Sequence, residues 1–185
     1  MLTNILKGIL NLLSPFNAIF SVWARNLAAS FIAFMTLMIL LQVFYRYVLN
    51  DSFSWTEELA KILMVWSAFL VAPWAYRMGA NVSIELFFDS FSQRFRLVMQ
   101  LVLNCLVIWI IVKFFQEAID FWLRGFSVTS ASMPIAMGWF YTVLPIGFLG
   151  IILVGIELLL RDLLSLLDRE GDYSIPDAGV PQEGE

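Results

Sequence analysis

The 185-residue chain contains no histidine, and Cys105 is its one cysteine. These absences exclude bis-histidine haem, histidine-ligated zinc, histidine-dependent catalytic triads and any intrachain disulfide framework. Charge is also scarce, at 14% of residues, against about 25% in an ordinary soluble domain. No basic patch suggests a nucleic-acid partner. No glycine-rich nucleotide loop, GxxxG pair or internal repeat is present. What the chain has instead is apolar surface: 61% of its residues are hydrophobic and the mean hydropathy is +0.83. One core of this length cannot hide that much apolar area from water, so the solvent is lipid.

The net charge of −4 is unevenly placed. The tail from Asp168 to Glu185 holds six acids and one base, whereas residues 1–167 hold nine acids and ten bases. The tail carries two prolines, three glycines and no apolar periodicity, which predicts disorder. The chain thus reads as a membrane domain over 1–167 and an acidic tail over 168–185.

Four apolar runs predict an all-α bundle of four transmembrane helices, over about 26–46, 57–77, 97–122 and 139–160. Asn26–Tyr45 alone is twenty uncharged residues, about 30 Å of helix and the thickness of a bilayer core. The second run borrows Glu57 and Glu58, with Lys61 snorkelling to one surface. In the third, Lys113 and Glu117 share a face. In the fourth, Pro145 is a possible kink, and Glu157 and Arg161 stand four apart at the exit. Asn104 suits a helix–helix hydrogen bond, and Cys105 a small buried apolar position.

Two further segments read as amphipathic interfacial helices. In the N-terminal one Leu2, Ile5, Leu6, Ile9, Leu10 and Leu13 form the apolar face. In the second, Ser83–Phe95, the stripe is Ile84, Phe87, Phe88, Phe91 and Phe95. With four spans both termini share a side. Placing them in the cytoplasm puts seven of eleven basic residues there, as the positive-inside rule prefers.

The distinctive stretch is Arg46–Lys61. Asn50–Asp51 is a turn signal, Ser54 and Glu57 form a capping-box pattern, and Tyr47, Phe53 and Trp55 suit an aromatic belt. Glu57 and Lys61 are in the favourable i, i+4 order. Glu58 is free to meet Arg46 or a partner. Glu57 and Glu58 as a proton or cation site compete with the plainer reading of a capped helix start, which is favoured. No acid stands at the expected midpoint of any span, where transport sites sit.

In order and spacing these residues resemble the small membrane subunit (DctQ-type) of tripartite ATP-independent periplasmic, or TRAP, transporters. The resemblance rests on Arg46–Tyr47 closing span one, Trp55–Glu58 opening span two, Trp66, the exit Arg77–Gly79 and the helix Val82–Glu85. It covers about Ala29–Phe95. It implies a non-enzymatic subunit of the bacterial inner membrane, without cofactor or metal. It also implies two partners besides membrane lipid: a large permease subunit and a periplasmic solute-binding protein. The small subunit would scaffold the large one and help dock the binding protein during sodium-driven uptake of a carboxylate-bearing solute. Arg46, Tyr47, Trp55, Glu57, Glu58, Arg77, Asn81 and Glu85 are the candidate interface or helix-anchoring residues. The family often has histidine where this chain has Asn81, so a role resting on an imidazole is in doubt, whereas capping survives. The alternative is a four-span anchor or accessory subunit of another inner-membrane complex.

Overall fold

The computed structural model describes residues 2–50, 54–88, 93–167 and 173. Among them the chain forms five helices: α1 (Leu2–Val48), α2 (Ser54–Phe88), α3 (Gln93–Gly125), the short α4 (Met137–Tyr141) and α5 (Val143–Leu167). Four helical stretches are long and apolar enough to cross a membrane: Ile5–Val48, Trp55–Gly79, Phe95–Gly125 and Met137–Leu167. α1 packs along α2, α3 packs along α5, and α2 and α5 join the two pairs.

The N-terminal stretch is not a separate interfacial helix. It is the first part of α1, which runs unbroken for 47 residues, about 70 Å at the helical rise. Pro15 lies inside it without ending it. The buried register of this half is set by small and polar residues. Leu10, Asn17, Ser21, Ala24 and Ala28 are buried, with half-buried Ser14 between them. Their alternating spacing of three and four puts them on one face. The opposite face exposes Leu12, Phe16, Ile19 and Trp23. Ile5 and Ile9, expected with Leu10 on one stripe, are exposed while Leu10 is buried. Most of the second amphipathic segment, Ser83–Phe95, lies outside the residues whose side chains are described, as does the 174–185 part of the tail.

The turn after α1 uses Asn50 at φ 53°, a left-handed conformation that asparagine tolerates better than most residues. The fourth span is divided. Proline at position 145 has no N–H to give the carbonyl of Tyr141, and its ring crowds that carbonyl. The helical hydrogen-bond pattern is accordingly interrupted at Thr142, whose backbone keeps a right-handed helical conformation at φ −56°, ψ −27° and whose hydroxyl bonds the Gly138 carbonyl at 3.1 Å. Pro145 then sits in the first turn of α5, where a missing N–H costs nothing. The expected kink is thus an interruption between α4 and α5.

A second proline decides how α2 and α5 meet. Pro73, inside α2 and fully buried, leaves the Phe69 carbonyl without its helical donor. The facing helix presents Gly147 and Gly150. A Cβ at Gly147 would lie 2.9 Å from the Phe69 carbonyl oxygen, and one at Gly150 would lie 2.7 Å from Pro73 Cγ. Small residues therefore allow the close approach of two backbones in an environment with little other driving force for helix association. Trp66 adds a bond from its indole N–H to the Phe140 carbonyl at 2.8 Å.

Gly150→Ala is expected to lower stability by about 1–3 kcal/mol through overpacking against a rigid proline ring. Gly79→Ala, with no atom within 4 Å of the new Cβ, is the neutral or slightly stabilising control. Thermal unfolding of the detergent-solubilised variants checks the contrast.

Candidate functional site

The end of the bundle that gathers the start of α1, the end of α2 and the end of α5 is occupied by a buried polar network. Its centre is Glu157, with no solvent exposure. The carboxylate was expected at the exit of span four, but α5 continues to Leu167 and buries it. Arg77 of α2 approaches in a fork: its Nη2 donates to Oε1 at 3.0 Å and its Nε to Oε2 at 3.3 Å. Arg161, one turn along α5, donates to Oε1 from Nη2 at 2.8 Å and from Nε at 3.1 Å. Asn17 of α1 donates from Nδ2 to Oε2 at 2.9 Å and to the Leu153 carbonyl at 3.0 Å. One carboxylate thereby holds three helices.

Arg161 carries the network outward. Its Nη2 bonds the Ser14 hydroxyl at 2.7 Å, and its Nη1 bonds the Tyr173 carbonyl at 3.0 Å. The Tyr173 ring lies under Lys7 at 5.6 Å. So Tyr173, within the stretch expected to be disordered, is seated against the start of α1.

A second polar chain brings in the remaining long helix. The Tyr76 hydroxyl donates to Asn104 Oδ1 at 2.9 Å, and Asn104 Nδ2 donates to Asp162 Oδ2 at 2.6 Å. Asn104 thus makes the interhelical bonds expected of it. Its neighbour Cys105 was expected to be buried and is exposed, because the two residues point to different faces of α3. The four charged residues Arg77, Arg161, Glu157 and Asp162 sum to zero. The Glu157 oxygens are filled by donors, so the carboxylate acts as a fastener, and the buried polar atoms beside it that lack a partner among the described residues are Asn17 Oδ1 and Ser21 Oγ on the same face of α1. Among the described residues no group of three metal-ligating carboxylates or cysteines occurs.

The opposite end of the bundle holds most of the residues singled out in the sequence. Glu57 and Lys61 form an exposed ion pair at 2.8 Å. Glu58 does not meet Arg46. It accepts bonds from the Ser132 hydroxyl and from the Ser132 backbone N–H, the latter at 3.1 Å. This ties the start of α2 to the α3–α4 loop. That loop is closed by an isolated bridge between Thr129 and Ala136. It is also closed by the approach of Gly138 to Gly125, where a Cβ on Gly125 would meet the Gly138 backbone at 2.9 Å. Beneath the Glu58–Ser132 contact is a cavity of about 610 Å³ floored by Ile62, Val65, Trp66, Phe140 and Tyr141. Tyr47 is exposed and Trp55 partly so. The side chains of Asn81 and Glu85 lie outside the described residues.

Of the eight candidate residues, the structure places Arg77 in the buried network and the Arg46–Glu58 group at the other end. Sequence reading missed Ser14, Asn17 and Asp162, and took Glu157 for an edge residue. A signal was present in the polar positions 14, 17 and 21, which fall on one face of an otherwise apolar helix. These positions lie between the predicted interfacial face, which ends at Leu13, and the first predicted span, which begins at about residue 26, so neither element accounts for them.

Glu157→Ala would leave two buried guanidiniums without their carboxylate, at a cost of about 3–5 kcal/mol. Asn17→Ala removes one donor and is expected to cost about 1–3 kcal/mol. The ordering Glu157→Ala below Asn17→Ala below wild type in melting temperature, read by fluorescence-detected chromatography, is the check. Equal melting temperatures would show the network to be dispensable.

The model of the DctQ component of tripartite ATP-independent periplasmic transporters matches residues 35–165. Three relatives bear on the chain. The isethionate TRAP transporter permease protein DctMQ of Oleidesulfovibrio alaskensis is 24% identical over 60% of this chain and 19% of its own length. A putative TRAP transporter small permease protein of Haemophilus influenzae is 38% identical over 31% of this chain and 36% of its own length. The sialic acid TRAP transporter small permease protein SiaQ of Vibrio cholerae is 26% identical over 76% of this chain and 82% of its own length. The chain therefore spans about a fifth and about a third of the first two, and most of the third. The family match covers well over half of the chain, including α2, α3, all but the last two residues of α5 and both partners of the Arg77–Glu157 pair. With four membrane-length helices, this chain is a multi-pass membrane protein that belongs to the DctQ family of TRAP transporter components.

Proposed function

We propose that the chain is the small membrane subunit of a TRAP transporter, whose work is to hold a large permease subunit and to help present a docking face to a periplasmic binding protein. The observation that carries this reading is where the charges go. The buried acid Glu157 is consumed by Arg77, Arg161 and Asn17, and the other buried acid among the described residues, Asp162, is bonded by Asn104, which leaves only single polar atoms of Asn17, Ser21 and Trp74 buried without a partner there. Meanwhile large apolar side chains stay exposed along the spans, among them Leu12 at 80%, Trp23 at 74% and Trp109 at 63%. A body with apolar outer faces, whose buried acids are held by its own helices, suits a scaffold better than a carrier. The relative named DctMQ supports the same view, since this chain matches only 19% of it.

Coupling to a sodium gradient and a carboxylate-bearing solute complete the proposal. The relatives named for sialic acid and isethionate, both organic acids, support an acidic organic solute. The Glu58–Ser132 tie gives the α3–α4 loop a fixed shape, which a docking face requires. That face would be periplasmic, with both termini in the cytoplasm of a bacterial inner membrane, following the basic-residue count.

Solute uptake into proteoliposomes under an inward sodium gradient is expected only when this chain is joined by its large permease subunit and binding protein. Sodium-driven uptake by this chain alone, or failure to co-purify with the large subunit, would overturn the scaffold reading.

Orientation has its own check. Reporter fusions at residue 51 and residue 170 should show periplasmic activity at the first and cytoplasmic activity at the second. The same compartment at both would contradict the topology.

A further inference from the structure

The outer ends of α1 and α2 form a cleft of about 430 Å³ that the buried network and the Glu58–Ser132 tie leave unused. Its floor is largely apolar: Met35, Ile39 and Val43 come from α1, and Ala60 and Met64 from α2, with Gln42 the polar residue among them and Tyr47 near the mouth. Its mouth is charged, with Arg46, Lys61 and Glu57 together at one end. Eleven residues separate Met35 from Arg46, about 16 Å of helix. That is about half the thickness of a bilayer hydrocarbon core, the depth reached by one acyl chain.

The charges at the mouth are of two kinds. Lys61 is paired with Glu57, and both side chains remain mostly exposed, at 70% and 62%. Arg46 makes no ion pair among the described residues. The mouth carries two cations and one carboxylate, a set that matches a phosphate with an ammonium close to it. Arginine is the stronger phosphate ligand of the two cations because its fork can donate two parallel bonds. The carboxylate can accept from an ammonium that retains N–H groups.

We propose that this cleft is a binding site for one membrane phospholipid with a primary-amine headgroup. The phosphate lies between Arg46 and Lys61, the ammonium meets Glu57, and one acyl chain follows Ile39 and Met64 toward the bilayer centre. The complementarity of mouth and floor, two cations and one carboxylate over a largely apolar slot about one acyl chain deep, argues for this ligand, and a helix of a partner protein is the competing outcome of the test. The proposal does not depend on the scaffold reading, because the site is made by this chain alone.

The test uses the full chain purified in detergent and titrated with phosphatidylethanolamine, phosphatidylcholine or phosphatidylglycerol of identical acyl chains, with bound lipid counted by native mass spectrometry. Retention of one phosphatidylethanolamine in preference to the other two is expected. Arg46→Ala should weaken its retention about tenfold, the loss expected for a charge-assisted bond. Glu57→Gln should abolish the preference over phosphatidylcholine. Ile39→Trp fills the slot at an exposed position, so it should block binding with the charges intact and the melting temperature unchanged. Equal retention of the three lipids, or wild-type retention in Arg46→Ala or Ile39→Trp, would overturn the proposal. So would a photo-crosslinker at residue 39 that, in native membranes, captures a protein segment in place of lipid.

Discussion

A carboxylate cannot be taken out of water alone. Its desolvation is repaid only when donors surround it in good geometry. Glu157 meets that condition by drawing Arg77 from α2, Arg161 from its own helix and Asn17 from α1 to one point. Each of these residues would itself be costly to bury unpaired. The arrangement is therefore close to all-or-none: the helices must be in one register for any of the charges to be tolerated. In lipid, where apolar side chains gain little by choosing each other over hydrocarbon, such a register device has more to decide than it would in water. Asn104 extends the device to α3 through Tyr76 and Asp162.

The rest of the bundle fits around that point. Small residues on α1 and α5 let backbones approach where polar groups must meet. Ser14, Asn17 and Ser21 share the buried face of α1 with Ala24 and Ala28, and Gly147 and Gly150 receive the bend in hydrogen bonding that Pro73 imposes on α2. At the far end the structure is held more lightly, by Glu58 on Ser132, by indole bonds from Trp66 and Trp122, and by the exposed Glu57–Lys61 pair. An exposed pair of that kind contributes little stability, so the two ends differ in character. One is a closed fastener and the other a surface with charged rims and apolar clefts. This division suits a subunit in which one end sets the shape and the other meets other molecules.

The medium, the helix class and the number of membrane-length helices are legible in the order of residues alone. Those follow from local composition: a run of apolar residues about 30 Å long has one solvent in which it is stable, and in that solvent the backbone must satisfy itself within a helix. The spacing of Arg46–Tyr47, Trp55–Glu58 and Arg77–Gly79 also made the family legible. The i, i+4 pairs Glu57–Lys61 and Glu157–Arg161 are local and readable in the sequence, whereas packing alone brings together charges that are distant along the chain. Arg77 and Glu157 are eighty positions apart, and nothing in the local pattern of either one names its partner. For the same reason Glu58 was open between Arg46 and other partners until the α3–α4 loop brought Ser132 to it, and Cys105 could not be separated from Asn104 until α3 took its rotation in the bundle. Periodicity places a residue on a helix face. Which neighbour covers that face is set by packing over long sequence distances.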